Sequence, residues 1–302
     1  MGDRWSAGDI PDQSGRTAVV TGANSGLGLV TARELARAGA TVVMACRNLE
    51  KGRAALEEVE RAASATAPEL SELDLASLSS VRSFADGFHA THESLDLLVN
   101  NAGVMAPPRR LTEDGFELQF GTNHLGHFAL TTALLDRMEG RDDARVVTLS
   151  STAHKMGRIN FDNLNGDRRY FRWNAYGQSK LANLLFALEL DRRLRASGST
   201  IKSLAAHPGY AATNLQSAAA PLLDRLVMVA SNALIAQSEE MGALPTLFAA
   251  TQPGLEGGTY VGPDGPGEQR GHPTVVQPNA RARDERSARR LWQVSEELTS
   301  AR

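Results

Sequence analysis

The chain has 302 residues, 42% hydrophobic and 22% charged, with a formal net charge of -3. That length suits one large α/β domain or two small ones, and the composition supports a sizeable buried core. The charge balance excludes the basic footprint of a nucleic-acid binder, and the single cysteine, Cys46, rules out an intrachain disulfide and fits a reducing, cytoplasmic setting.

Residues 1–14 read as a polar leader with no apolar signal-peptide core. Its Met1-Gly2 start fits a loose myristoylation pattern but has no polybasic neighbour, so it is not read as an anchor. No apolar run approaches the ~18 residues of a membrane span, so no integral membrane segment is expected. Thr17-Ala18-Val19-Val20-Thr21 reads as a buried strand, followed by a glycine-rich turn over 22–28. Helical spacing over 27–38 stops at Gly39. The alternation continues with a strand over 41–46, a helix over 49–63, a strand over 70–75 and a helix over 78–89. A strand over 95–99, a long helix over 116–138 and a strand over 145–149 come next. A helix over 174–194, a strand over 201–205 and a short strand over 259–261 complete it. The tail beyond residue 262 is rich in Gly, Pro and charge and turns helical from about 280. Alternating strands and helices imply a doubly wound parallel sheet, Rossmann-like, in three layers. No repeat or linker divides the chain. The expectation is a single domain over 15–262 with an extension over 263–302 packed on it.

The turn Thr21-Gly22-Ala23-Asn24-Ser25-Gly26-Leu27-Gly28 sits between a strand and a helix. Glycines there let the backbone approach a pyrophosphate, and the helix start offers amide donors and a positive dipole end. At the end of the second strand a carboxylate would select the ribose hydroxyl of NAD. The sequence instead has Cys46-Arg47, with no acid from Met44 to Asn48. Arg47 is either an anchor for the 2′-phosphate of NADP, whose bidentate fit favours that reading, or a solvated strand-end charge. NADP(H) is therefore preferred, with NAD possible. Asp74, beside Leu75, either accepts from an adenine amino group or caps the next helix. Asn100-Asn101-Ala102-Gly103 ends the fourth strand on the ligand edge; Gly103 permits close approach, and Asn101 either contacts ligand or braces strands.

Tyr176-x-x-x-Lys180 places a phenol and an ammonium one turn apart on a helix. An adjacent ammonium is expected to lower the phenol pKa, fitting it to exchange a proton with an alcohol or carbonyl oxygen. Ser150-Ser151 ends the fifth strand, where a hydroxyl can polarise a substrate oxygen. Asn123 lies mid-helix, an unfavoured place that suits either holding a relay water or a packing role. His124 and His127 have no third ligand, so no metal is expected.

The ordered motifs Thr21-Gly22-x-x-x-Gly26-x-Gly28, Asn100-Asn101-Ala102-Gly103, Asn123, Ser151, Tyr176-x-x-x-Lys180 and Pro208-Gly209-x-x-x-Thr213 resemble those of the short-chain dehydrogenase/reductase family. The resemblance runs from about residue 15 to 260. It implies that Tyr176 is the general acid/base, Lys180 the group that binds the nicotinamide ribose, and Ser151 the polarising serine. It also implies that Asn123 orders a relay water, and that Pro208, Gly209 and Thr213 hold the nicotinamide end. Met44-Ala45-Cys46-Arg47-Asn48 and His207-Pro208-Gly209 resemble the retinol dehydrogenase and WW-domain oxidoreductase branch. One departure is a longer segment between Ser151 and Tyr176, where 154–172 carries Arg158, Arg168, Arg169, Tyr170, Phe171 and Arg172.

The resemblance places the apolar stretch 218–236 over the substrate pocket, within a lid at about 214–236, where it points to a lipophilic small-molecule substrate; the alternatives are that the same face packs on the domain or contacts a second subunit or a membrane surface. The expected function is hydride transfer between nicotinamide and an alcohol or carbonyl. The alternatives are a non-catalytic dinucleotide sensor and an NADPH-dependent C=C reductase. The resemblance also admits a homo-oligomer paired through the helices carrying Asn123 and Tyr176, unless the tail blocks it.

Overall fold

The computed structural model describes residues 4–210 and 237–300. The strands β1 (Thr17–Thr21), β2 (Thr41–Cys46), β4 (Leu97–Asn100), β5 (Arg145–Leu149) and β6 (Lys202–Ala206) are buried almost throughout. Strands buried on both faces need helices above and below. Those helices are α1 (Gly26–Arg37), α2 (Leu49–Ala62), α3 (Leu78–Thr91) and α6 (Arg172–Ser197), together with the segments described below. With β3 (Glu69–Glu72), β7 (Tyr260–Pro263) and β8 (Pro273–Val275), the strands form one eight-stranded sheet in the order β3-β2-β1-β4-β5-β6-β7-β8. All pairs are parallel except β7 with β8. The order reverses between β1 and β4, so a ligand crevice opens past their carboxyl ends.

One layer packs Leu27, Val30 and Leu35 of α1, Val59 of α2 and Leu247 of α7 (Glu239–Thr251) on the sheet. The other packs Phe84 and Phe88 of α3, Phe128 of α5 (Gly126–Leu134), Phe186 and Leu190 of α6, and Trp292 of α8 (Glu285–Ser300). The doubly wound single domain is thus as expected. The leader packs on it: Trp5 meets the Phe248 ring edge-on at 5.3 Å, and Arg37 donates to the Ala7 carbonyl at 2.8 Å. The extension does too. Trp292 stacks on Phe186 at 5.9 Å and lies beneath the Arg193 guanidinium at 4.3 Å. Helix α8 therefore covers part of the α5–α6 face through which pairing was considered.

Several expectations need correction. The third strand ends at Glu72, not 75. The Leu73 amide still reaches the Cys46 carbonyl at 3.1 Å, but the Ala76 amide then donates to Asp74 Oδ1 and turns the chain. The helix over 116–138 is broken: α4 (Leu118–Phe120) runs into a π turn (Gly121–Leu125), then α5, then a 3₁₀ turn (Leu135–Arg137). Strand β8 and helix α8 complete the tail; β8, and α7 ahead of the tail, were not foreseen. The region expected as a lid, 214–236, lies outside the described residues, as does Thr213.

Within the broken helix, His124 and His127 point to different partners rather than to one ion. His124 Nε2 pairs with Ser295 Oγ at 2.8 Å, and His127 bridges Thr21 Oγ1 (2.9 Å) and the Asn123 carbonyl (3.0 Å). Burial drives His124 down to about 3 and His127 to about 4. Both rings are therefore neutral in the native state over a range where the unfolded chain takes up protons. Stability is expected to fall as pH drops from about 6.5 toward 4, by several kcal/mol (roughly 1.4 kcal/mol per pH unit for each ring). Burial lowers His154 and His207 as well, so they add to the slope; urea denaturation across that window checks this, and His124→Phe should remove the share that His124 contributes.

Candidate active site

The site begins where β1 ends. Gly22 and Gly26 adopt left-handed φ angles of 67° and 57°, and Gly26 opens α1. A Cβ at Gly28 would stand 2.4 Å from the Gly22 carbonyl oxygen and 2.5 Å from Asn101 Nδ2. Only glycine fits there, and the loop is pressed flat against the β4 end. Ser25 makes no side-chain cap, which leaves the first-turn amides of α1 facing a cavity of about 820 Å3. Asn24, Ser25 and Leu27 line it at this point. A helix start of this kind suits a pyrophosphate.

Toward one end, Arg47 follows β2, exposed and without an ion-pair partner among the described residues. Cys46 is buried with its thiol pushed up to about 11, so no thiolate opposes the cation. Lys51, in the first turn of α2, lines the same cavity and was not foreseen. The extended backbone of Asn48 separates the two positions, so no helical period in the sequence pairs them, and the fold alone brings both cations to one corner. Asp74 and Leu75 form the facing wall. Asp74 does not cap α3; Ser77 does, and Asp74 uses only Oδ1, on the Ala76 amide. The residues present therefore fit a dinucleotide bearing a phosphate at this corner, with the Asp74 carboxylate on the facing wall.

At the centre, Asn101 donates to the Thr21 carbonyl at 2.7 Å, so it braces β1 against β4 while still bordering the cavity. Thr21 Oγ1 in turn accepts from the amides of Asn101 and Ala102, both at 2.9 Å. Gly103 leaves room for Asn123 Oδ1 and Lys180 Nζ, which a Cβ there would meet at 3.1 and 3.5 Å.

At the other end stand Ser151, Tyr176, Lys180, Pro208 and Gly209. Tyr176 and Lys180 are both buried in α6, with Lys180 Nζ 5.9 Å from the Tyr176 ring centre. The ammonium donates to the Leu149 carbonyl at 3.2 Å, shared with Asn183 Nδ2 at 2.9 Å. The expected lowering of the phenol is not seen. Burial pushes Tyr176 up to about 12, and the Ser151 hydroxyl opposes that rise through a hydrogen bond. Burial also brings Lys180 down to about 8. Ser150 and Ser151 both line the cavity, but the buried Ser150 hydroxyl donates to the Lys180 carbonyl at 2.8 Å, whereas the Ser151 hydroxyl is the one that meets Tyr176.

Asn123 is also completely buried. Its Oδ1 accepts from the Val104 amide at 2.7 Å, and its Nδ2 donates to the Val104 carbonyl and to Ser179 Oγ at 3.0 and 2.9 Å. The side chain ties the β4 loop to α6. Its carbonyl, released by the π turn, is met by the His127 ring. Such single π turns recur at functional sites.

Two further groups were missed. Trp173 meets the Tyr176 ring edge-on at 6.3 Å and, with Met156, gives this end apolar walls. Glu268, in the extension, lies 3.1 Å from Lys155 Nζ and 3.2 Å from His207 Nε2, though not aligned as a hydrogen bond to either. His207 Nδ1 accepts from the Gly209 amide at 3.2 Å, so Glu268 joins the loop after Ser151 to the Pro208-Gly209 turn. The carboxylate, facing His207 first and Lys155 second, is held down to about 2. Nothing in the local sequence pairs positions 155, 207 and 268; only the fold does.

The short chain dehydrogenase family model matches residues 16–222. Retinol dehydrogenase 13 of Homo sapiens is 42% identical over 305 residues, spanning 98% of this chain and 89% of that protein. Retinol dehydrogenase 12 of Mus musculus is 43% identical, spanning 94% and 86%. A solved but uncharacterised protein of Mycobacterium paratuberculosis is 50% identical, with a TM-score of 0.82 over 99% of this chain and 98% of that one. A short chain dehydrogenase of Shigella flexneri, solved with NADP, shares the fold at a TM-score of 0.64 and 23% identity, spanning 83% and 97%. The matched span starts one residue before β1 and passes β6, and the relatives extend it over nearly the whole length. The chain is therefore an oxidoreductase of the short-chain dehydrogenase family, in its retinol-dehydrogenase-like branch.

Proposed function

We propose that the enzyme uses NADP(H) to interconvert a lipophilic alcohol and its carbonyl compound. The observation that carries this reading is one continuous cavity with Arg47 and Lys51 at one end and Ser151, Tyr176 and Lys180 at the other. Bound nicotinamide would supply or accept the hydride. Every proton step falls to the chain itself. A phenol held near 12 is protonated at neutral pH, which suits Tyr176 to give its proton to a carbonyl oxygen as that oxygen gains charge. Ser151 would donate a hydrogen bond to the same oxygen, an interaction that strengthens as charge develops. Lys180 would hold the nicotinamide ribose and keep positive charge beneath the phenol. Asn123 would keep the β4 loop and α6 in register for this, and Pro208 and Gly209, with Thr213, would hold the nicotinamide end. Met156 and Trp173 support an apolar substrate, and the retinol dehydrogenase relatives make retinal a natural member of the test set.

Turnover of aldehydes, ketones and enones, with NADPH and NADH in parallel, tests the reading. Carbonyl reduction with NADPH is expected. Turnover of enones alone would favour C=C reduction, and no turnover with tight NADPH binding would favour a sensor. Arg47→Asp should lower kcat/KM for NADPH by at least about tenfold and raise that for NADH, since it removes a charged hydrogen bond and supplies a ribose acceptor. An unchanged NADPH/NADH ratio would remove Arg47 from cofactor selection.

A further inference from the structure

A second cavity of about 520 Å3 adjoins the first, enclosed by the 156–171 loop and the start of α6. Met156 borders both cavities. The volume lies within the range of small-molecule sites. Its walls mix apolar side chains, among them Ile159 and Phe171, with a set of polar groups that the fold satisfies unequally.

The one carboxylate among the lining residues, Glu117, is committed internally. Its Oε1 accepts from the Gln119 amide and the Tyr170 hydroxyl, and its Oε2 from the Phe120 amide. The cations have no such commitment. Arg158 has no ion-pair, hydrogen-bond or ring partner for its side chain among the described residues, and the side-chain amide of Asn160 beside it makes no hydrogen bond. Arg169 lies over the Phe171 ring at 4.7 Å and forms no ion pair. Stacking uses the face of a guanidinium and leaves its in-plane donors available. Two uncompensated guanidiniums and an unused amide, set against an apolar wall, match a carboxylate or phosphate carried on an apolar stem.

We propose that this cavity binds an organic anion, with Arg158 as its main anchor and the stem lying along Met156 and Phe171. Two sources share that chemistry. One is a separate anionic ligand. The other is the far end of a substrate whose carbonyl sits at Tyr176, reaching across Met156.

Calorimetric titration of the full chain with decanoate and with decanol tests the site without any turnover. Decanoate should bind at least about tenfold more tightly than decanol. Arg158→Ala should abolish that difference by weakening decanoate alone, and Arg158→Lys should restore part of it. Equal affinity for the two probes, or undiminished decanoate binding by Arg158→Ala, would overturn the proposal. Reduction of decanal and of 10-oxodecanoate then separates the sources. A lower KM for the oxo acid that Arg158→Ala removes at constant kcat identifies a substrate tail. Equal KM values, with decanoate binding intact, identify a separate ligand. Because binding is read directly, a failure of the proposed redox chemistry would leave this result standing.

Discussion

Replacing Tyr176 by phenylalanine is expected to lower kcat/KM by roughly a thousandfold, the usual scale for losing a general acid, while the dissociation constant for NADPH changes little. The two readouts separate because of where the ring sits. It is buried, with the Trp173 edge against it, and Phe keeps that packing. What is lost is one hydroxyl, whose hydrogen-bonding neighbour is Ser151. The fold and the cofactor corner at Arg47 and Lys51 should therefore be untouched. Steady-state rates of carbonyl reduction and fluorescence titration with NADPH check both halves. Full activity in the phenylalanine variant would leave the proposed chemistry without its proton. A phenol held near 12 does not ionise at neutral pH, so a fall in the reductive rate as pH rises past about 8 is expected to follow loss of the Lys180 charge instead.

The parallel sheet was legible because its strands are buried on both faces. Thr17–Thr21 and Thr41–Cys46 are continuous apolar and β-branched runs, and the glycines after the first supply the left-handed φ angles of the turn that follows it. The Tyr176–Lys180 pair was legible for a similar reason, since four residues make one turn of any helix. The break within 116–138 left no such trace. A π turn depends on where the Asn123 main-chain carbonyl goes, and that carbonyl is met by the His127 ring, while Val104 on another loop holds the Asn123 side chain. Helix α7 was hidden by its burial: Gly242 through Leu247 are all inside, so no polar face marks a period, and Pro245 reads as a breaker. The contacts of Glu268 with Lys155 and His207 join positions far apart in sequence. The direction in which the phenol moves was misjudged because local spacing shows which groups are neighbours but not how much water reaches them. For Tyr176, burial raises the phenol, and the group that opposes the rise is the Ser151 hydroxyl.

The same burial makes Lys180→Met an informative variant. The lysine is expected to be costly for the fold and required for the reaction. Its ammonium is brought down from 10.5 to about 8 by burial alone. In the unfolded chain the group holds its proton up to the higher value. Between the two values, unfolding takes up a proton, so the stability of the unmodified protein should rise with pH over that window. Below it the buried charge costs about 3 kcal/mol, from roughly 1.4 kcal/mol for each pH unit that separates the two values. Methionine has a similar length and no charge. The one carbonyl it abandons, Leu149, keeps the Asn183 donor at 2.9 Å. The variant should therefore be more stable than the parent by up to about 3 kcal/mol at pH 7, and the advantage should vanish by about pH 10.5. Cys46 and Tyr176, raised to about 11 and about 12, titrate in the opposite sense at the top of this range. Both proteins carry them, so the difference between the two urea curves isolates the lysine. Activity should move the other way, falling on the order of a hundredfold or more as the phenol loses its charged neighbour. A variant both less stable at pH 7 and fully active would mean that the ammonium neither strains the fold nor serves the site.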